Sequence, residues 1–368
     1  MANATHLSDH DASAALAERI REANAEGTPL RIVGGDTRFF YGREVEGSEL
    51  STREHCGISF YDPVELVVSV RSGTPLGELE AALAEHGQML PFEPPRYGAA
   101  STVGGMVATG LSGPRRPWAG SVRDFVLGAR VINHEGNEQR FGGEVMKNVA
   151  GYDLSRLMVG AQGTLGLITE VSFKVLPKPG ATHSLHLELS LDEARQRLAE
   201  WGREPLPISA AAWLDGALHL RLEGGPSSVA ATRARIGGDD LDNDFWAALR
   251  DQRLPFFRAG PLDETKSPLW RLSLPHRTPA LELPDVDERL MIHDWAGAQR
   301  WLRADLDAEA LRHACQAVGG HATCYGPRPA EVEPFMPLPE VLMKYHRNLK
   351  AQLDPKGLFN PGRLYAAF

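Results

Sequence analysis

The sequence predicts an α+β fold in two domains, closed by a C-terminal segment that returns to the first. Three observations carry this expectation. Of the 368 residues, 42% are hydrophobic and 24% charged, the balance of a globular protein with room for two or three cores. Helical and strand periodicities alternate over the first 90 residues and segregate in the second half. Pro177-Lys178-Pro179-Gly180 groups two φ-locking prolines with a glycine and marks a boundary. The expected division is 1–178, 179–339 and a tail at 340–368.

Residues 11–26 place Ala12, Leu16, Ile20 and Ala23 at helical spacing, with Gly27 as the stop before Thr28-Pro29. Leu30-Arg31-Ile32-Val33 reads as a strand entering Gly34-Gly35-Asp36-Thr37-Arg38. The β-branched run at 64–70 predicts a second strand. It precedes a helix with Thr74 as N-cap, Pro75 at its first turn, Leu76, Leu79 and Leu83 on one face, and Gly87 at its end. Residues 91–120 carry prolines and glycines with almost no periodicity, and a structureless loop this long is usually functional. A strand at 125–132, a turn at Glu135-Gly136 and an antiparallel partner at 138–141 follow. In the next strand Leu167, Thr169, Val171, Phe173 and Val175 share a face opposite Glu170, Ser172 and Lys174. The second half predicts a strand at 184–189, a helix at 191–201 and strands at 209–214 and 217–222 joined by Asp215-Gly216. A helix after Arg303 running through Val318, a strand at 322–325 and a helix at 340–353 complete the chain.

The formal net charge of −9, with no basic block, argues against nucleic acid as a partner. No run of 18 uncharged apolar residues is present, and the first residues lack the basic and apolar stretches of a signal peptide. Cys56, Cys315 and Cys324 are too few and too scattered for a disulfide framework or for four-cysteine ligation of an iron–sulfur cluster. A cytoplasmic location is expected.

Three strings stand out. Gly34-Gly35-Asp36-Thr37-Arg38 after a strand suits a pyrophosphate held by backbone N–H groups, with Thr37 and Arg38 as side-chain donors. A plain turn is the alternative, since the string is not Gly-x-Gly-x-x-Gly and no helix opens on it. Residues 98–113 are almost entirely small, which lets a ligand lie against the main chain, with Ser101, Thr102, Thr109 and Ser112 as neutral donors. A flexible linker would leave Val103, Met106, Val107 and Leu111 in water. The third string runs from Lys147-Asn148-Val149-Ala150-Gly151-Tyr152-Asp153-Leu154 through Gly160-Ala161-Gln162-Gly163-Thr164-Leu165-Gly166-Leu167-Ile168.

In this order the strings resemble the FAD-binding domain of the vanillyl-alcohol-oxidase and p-cresol-methylhydroxylase (PCMH) superfamily, in its branch of 2-hydroxy-acid dehydrogenases. Ala161-Gln162 stands where that branch usually has Ser-Glu. The ending Leu353-Asp354-Pro355-Lys356-Gly357-Leu358-Phe359-Asn360-Pro361-Gly362-Arg363-Leu364 is similar to the family's closing segment, packed onto the FAD domain. The resemblance implies a two-subdomain FAD-binding domain at 1–178 and a shortened cap at 179–339. It implies that Val33, Gly34, Gly35, Asp36, Thr37 and Arg38 hold the FAD pyrophosphate. Ala100, Ser101, Thr102, Val103, Gly104, Gly105, Ala108 and Gly110 would contact pyrophosphate and flavin, and Gly163, Thr164, Gly166 and Ile168 the ring or adenosine side. The family oxidises a substrate C–H, the flavin taking a hydride. No histidine lies between Arg31 and Tyr41, so FAD is expected to be non-covalent.

Full-size relatives carry a larger cap with a Gly-Asp-Gly-Asn-Leu-His-like segment. Here Asp215-Gly216-Ala217-Leu218-His219-Leu220 lacks the asparagine and companion histidines. The shortened chain resembles the FAD-binding subunits of multi-subunit glycolate oxidases, which implies a full-size FAD-containing partner, an iron–sulfur subunit and a small 2-hydroxy acid as substrate. Location could then be peripheral at the inner membrane through the partners. A stand-alone 2-hydroxy-acid dehydrogenase and a non-catalytic flavin-fold scaffold are the alternatives. Candidates for substrate contact are Arg116, with Arg115 and Arg123 beside it, Lys147 and Tyr152, all of which also read as ordinary surface or loop residues. His313, Cys315, His321 and Cys324 lie close in sequence. His313 and Cys315 diverge around a helix and the other two lie beyond a glycine stop, so no metal site is expected.

Overall fold

The computed structural model describes residues 9–143, 153–257, 267–281, 283, 286–326 and 328–368. It divides into two compact units. The first comprises residues 1–112, 120–178 and 337–368, and the second Gly113–Ala119 and Pro179–Met336. The stretch expected to belong wholly to the first domain thus lends Gly113–Ala119 to the second unit.

In the first unit, helix Ser13–Glu26 buries Leu16, Ala17, Ile20 and Ala23, and Gly27 at φ 70° closes it. Its apolar face covers a parallel pair of strands, Leu30–Val33 and Ser48–Ser51. Leu358 and Phe359 complete that small core, and Leu30 is bridged to Phe359 through the backbone. Alongside it is a five-stranded antiparallel sheet, ordered Ile58–Asp62, Val67–Arg71, Leu167–Lys174, Val126–Ile132, Glu138–Gly142. Leu167–Lys174 is the central strand, so Ile168 and Ser172 are buried as well as the expected face.

Three local expectations are corrected. The strand expected at 64–70 begins at Val67, because Asp62 Oδ1 accepts from the N–H groups of Val64 and Glu65 and turns the chain, with Leu66 at φ 57°. Thr74 does not cap the following helix; Pro75 takes that position, and the Thr74 hydroxyl bonds the backbone of Gly57. The segment 91–120 is not structureless. It holds helix Val103–Thr109, N-capped by Thr102, whose Oγ1 accepts from Gly105 N–H at 3.3 Å, and stopped by Gly110 at φ 63°. Val103, Met106 and Val107 sit at i, i+3 and i+4 and enter the main core, a periodicity hidden by the surrounding small residues.

The second unit is built on an eight-stranded antiparallel sheet, ordered Asp239–Leu241, Ala181–Glu188, Ala217–Gly224, Ile208–Leu214, Ile292–Asp294, Gln299–Arg303, Leu269–Ser273, His321–Gly326. Asp215 and Gly216 turn the expected hairpin with positive φ, 52° and 82°. Helix Leu191–Trp201 falls where the apolar spacing places it, whereas the helix expected directly after Arg303 begins only at Ala308, because Asp307 caps it by accepting from the N–H groups of Glu309 and Ala310, and it ends at Ala317. The strands between 239 and 303 had no sequence assignment, since buried polar residues such as Gln299 and Arg300 break their apolar alternation. Among the described residues, no helix is long and apolar enough to cross a membrane.

Candidate functional site

A cavity of about 350 Å³ lies within the first unit. Its first wall is the turn after strand Leu30–Val33, where Val33, Gly34, Gly35, Asp36, Thr37 and Arg38 all line it. The backbone N–H groups of residues 34–37 make no backbone hydrogen bond among the described residues, so the turn presents donors. The second wall is the start of helix Val103–Thr109, contributing Thr102, Gly104, Gly105, Ala108 and Thr109. The third is Gln162, Gly163, Gly166, Leu167 and Ile168.

The walls meet at main-chain distance. A Cβ on Gly35 would stand 1.6 Å from the Ala100 carbonyl oxygen, and one on Gly34 2.3 Å from Thr102 Oγ1. Of the expected residues, Ala100, Ser101, Val103, Gly110 and Thr164 do not line the cavity; they support it. Ser101 Oγ accepts from Arg38 Nη1 at 2.7 Å, and Arg38 Nη2 donates to the Pro95 carbonyl, so this guanidinium is held in a residue only 6% exposed. Val103 is in the core, Gly110 ends the helix, and Thr164 Oγ1 donates to the Ala161 carbonyl.

Several lining residues were not singled out beforehand, among them Ser72, Asn360 and Arg363. Asn360 Oδ1 accepts from Ile32 N–H at 2.8 Å and its Nδ2 donates to Gln162 O at 2.7 Å, tying the first wall to the third. Arg363 donates to Gln162 Oε1 and to the carbonyls of Arg38, Phe39, Tyr41 and Arg43. Behind them Lys350 Nζ, buried, donates to Asp354 Oδ2 at 2.6 Å, to Thr164 O and to Phe359 O. Burial lowers the Lys350 pKa, and the Asp354 carboxylate opposes that shift. The sequence signal for these residues was the closing segment itself, whose individual roles no periodicity could assign. The position departing from Ser-Glu has a local explanation: Gln162, at φ 50°, accepts from Arg363 through a neutral amide.

The donor set fits an extended phosphate-bearing cofactor. Arg31, Arg38 and Arg363 outnumber Asp36 and Glu44 on the lining, and Arg31 is already paired with Asp36 and Glu49. Ser72 lines the cavity, and its Oγ is buried and without a hydrogen-bond partner among the described residues. Arg116 is in the second unit, its guanidinium over the Trp295 ring, and Arg115 there pairs with Glu223 at 2.8 Å. Lys147 and Tyr152 lie outside the described residues. Burial raises the pKa of the Cys315 and Cys324 thiols to about 11.

Residues 11–142 match the profile of the FAD binding domain family. The chain is 52% identical over 360 residues to glycolate oxidase subunit GlcE of Escherichia coli K12, covering 98% of this chain and 99% of that protein. It is 31% identical over 193 residues to the D-lactate dehydrogenase of Archaeoglobus fulgidus, and 36% identical over 140 residues to glycolate oxidase subunit GlcD of Bacillus subtilis. Those matches take in 52% and 38% of this chain and only 43% and 30% of the two proteins. Among solved structures, alkyldihydroxyacetonephosphate synthase shares the fold with a TM-score of 0.68 at 17% identity, over 96% of this chain and 75% of the synthase. The fold is thus α+β with a PCMH-type FAD-binding domain, FAD is the cofactor, and the chain belongs to the family of glycolate oxidase subunit GlcE.

Proposed function

We propose that this chain is the FAD-binding subunit of a multi-subunit glycolate oxidase and takes part in oxidising glycolate to glyoxylate. The single observation that carries the reading is the identity of 52% along nearly the whole chain to a protein named as such a subunit, together with a cavity fitted to its cofactor. Bound FAD supplies a two-electron acceptor for the hydroxyl-bearing carbon of the substrate. The residues of this chain would hold and orient it: the 34–37 backbone N–H groups and Arg38, which line the cavity, would receive the pyrophosphate, while Asn360 and Arg363 fix the turn on which those groups lie. Retention without a covalent bond is supported by the absence of histidine and cysteine between Arg31 and Tyr41.

Oxidation of a 2-hydroxy acid to a 2-oxo acid releases two electrons and two protons. With three cysteines the chain cannot supply the four thiolates of the usual cluster ligation, so the electrons leave to a separate acceptor; the resemblance to glycolate oxidase subunits implies that this is an iron–sulfur subunit and that a full-size flavin subunit completes the complex. The test is an absorbance spectrum of the chain purified alone, before and after acid precipitation, and then anaerobic addition of glycolate. Flavin bands that move to the supernatant establish non-covalent FAD. Bleaching by glycolate makes this chain a substrate oxidiser, and unbleached flavin that is reduced only when the partner subunits are added makes it a relay. A chain that takes up no flavin refutes the proposal.

A further inference from the structure

In the second unit two arginines share one indole. The guanidinium carbon of Arg116 lies 4.5 Å from the Trp295 ring centroid and that of Arg271 lies 5.5 Å away. Trp295 is 2% exposed, and its indole N–H donates to the Gly113 carbonyl at 3.0 Å. Trp295, Ala296 and Gly297 run consecutively at φ 55°, 54° and 90°. A bulky residue in the left-handed region is strained and persists only where its surroundings hold it, and such residues cluster at ligand sites.

What holds it also aims Arg271. Trp295 N–H donates to Asp294 Oδ1 at 2.7 Å, Asp294 Oδ2 accepts from Gln299 Nε2 at 3.0 Å, and Gln299 Oε1 accepts from Arg271 Nε at 2.7 Å. Asp294 and Gln299 are both buried. This chain of bonds fixes the guanidinium through Nε and leaves its two terminal nitrogens with no ion pair or hydrogen bond among the described residues. Strand register places Arg271 opposite Thr323 and Ser273 opposite His321, so Arg271, Thr323 and His321 share one face of the sheet. Desolvation, then the charges of Arg271 and Arg116, lower the His321 pKa.

A guanidinium anchored at Nε has its remaining fork set for two parallel hydrogen bonds to a carboxylate, and a rigid indole beside it fixes the position of the second cation. We infer that Arg271, with Arg116 on the same Trp295 ring adding positive charge, receives the carboxylate of a small organic anion. The inference rests on the proposed glycolate reading only for the identity of that anion. Arg271 sets specificity here; no proton or electron moves through it.

The test uses the full chain loaded with FAD, titrated calorimetrically at constant ionic strength with glycolate, lactate, chloride and glycolamide, the last having the shape of glycolate without its charge. Glycolate should bind, while chloride and glycolamide should not. Arg271→Met should weaken binding about tenfold or more, as expected for loss of a charge-assisted pair of hydrogen bonds, with flavin content unchanged. Arg271→Lys, a second variant in case the first does not fold, should recover only part of the affinity because a point charge replaces a fork. Binding of lactate but not glycolate would support the carboxylate receptor and overturn the proposed substrate. No carboxylate binding by flavin-loaded protein, equal affinity for glycolamide, or undiminished affinity in both variants would overturn the receptor and leave the flavin assignment standing.

Discussion

Replacing Gly35 by alanine is the smallest change that should open the cofactor cavity. The added methyl carbon would lie 1.6 Å from the Ala100 carbonyl oxygen and 3.2 Å from Ser101 N, both main-chain atoms that cannot rotate aside. Ordinary van der Waals contact between such atoms is about 3.5 Å, so the turn and the 100–105 segment must separate by well over about 1 Å. Overpacking of this kind costs roughly 1–3 kcal/mol in stability, which a protein of this size tolerates, whereas a displacement of about 1 Å at a ligand site costs on the order of a hundredfold in function. The expected outcome is a folded Gly35→Ala protein whose affinity for FAD falls about a hundredfold, read as quenching of free FAD fluorescence on titration of the apoprotein, with circular dichroism reporting the fold. An affinity within about twofold of wild type in a folded variant would refute the reasoning that these two walls jointly hold the cofactor.

Three further outcomes rest on the same geometry. Lys350→Met takes the counter-charge from the buried Asp354 carboxylate, which keeps only the N–H groups of Leu358 and Phe359, and removes the bonds to Thr164 and Phe359; breaking such a pair costs about 3 kcal/mol, so calorimetry should show the first unit melting roughly 6–12 °C lower. Asn360→Ala leaves the Ile32 N–H and the Gln162 carbonyl unpaired, and FAD dissociation, followed by stopped-flow fluorescence, should accelerate about tenfold, while Asn360→Asp, which keeps the acceptor, loses less. Burial lowers the His293 pKa from 6.5 to about 4, so the folded state refuses a proton that the unfolded chain accepts. Its contribution to stability is therefore full above the unfolded value and falls as pH drops toward the folded one, so that between about pH 7 and pH 5 the loss of stability in urea titrations should be about 2 kcal/mol smaller in His293→Phe than in the wild type, while buried His219, its pKa lowered to about 4 in the same way, keeps its own share in both.

The parts of the fold that were legible are those where one face of an element meets one core. Helix Leu191–Trp201 carries clear apolar spacing, and the Asp215-Gly216 dipeptide is good hairpin chemistry. Helix Val103–Thr109 was hidden because its other positions are glycine, alanine and threonine, a mixture whose weak helix preference is overridden by burial of Val103, Met106 and Val107. The same holds for the site. The turn at 34–38 announces itself through its glycines, while Ser72, Asn360 and Arg363 reach the cavity through tertiary contacts, that of Asn360 with Ile32 spanning 328 residues, which no local pattern encodes. The chemistry of Ser101 suggests a ligand donor and the resemblance adds Thr164 as a cofactor contact; their hydroxyls are engaged with Arg38 and the Ala161 carbonyl.

The bridge between Leu30 and Phe359 has a consequence for how the holoprotein comes into being. Residues 11–142 satisfy the family profile, yet part of the lining of their cavity is supplied by Asn360 and Arg363. During synthesis the nascent first unit waits, with its cofactor turn untethered, until more than 200 further residues have left the ribosome. Cofactor loading is thus a late event in the life of the chain, and the closing residues serve as a maturation signal: a product shortened before Asn360 would carry every FAD fingerprint and still release its flavin.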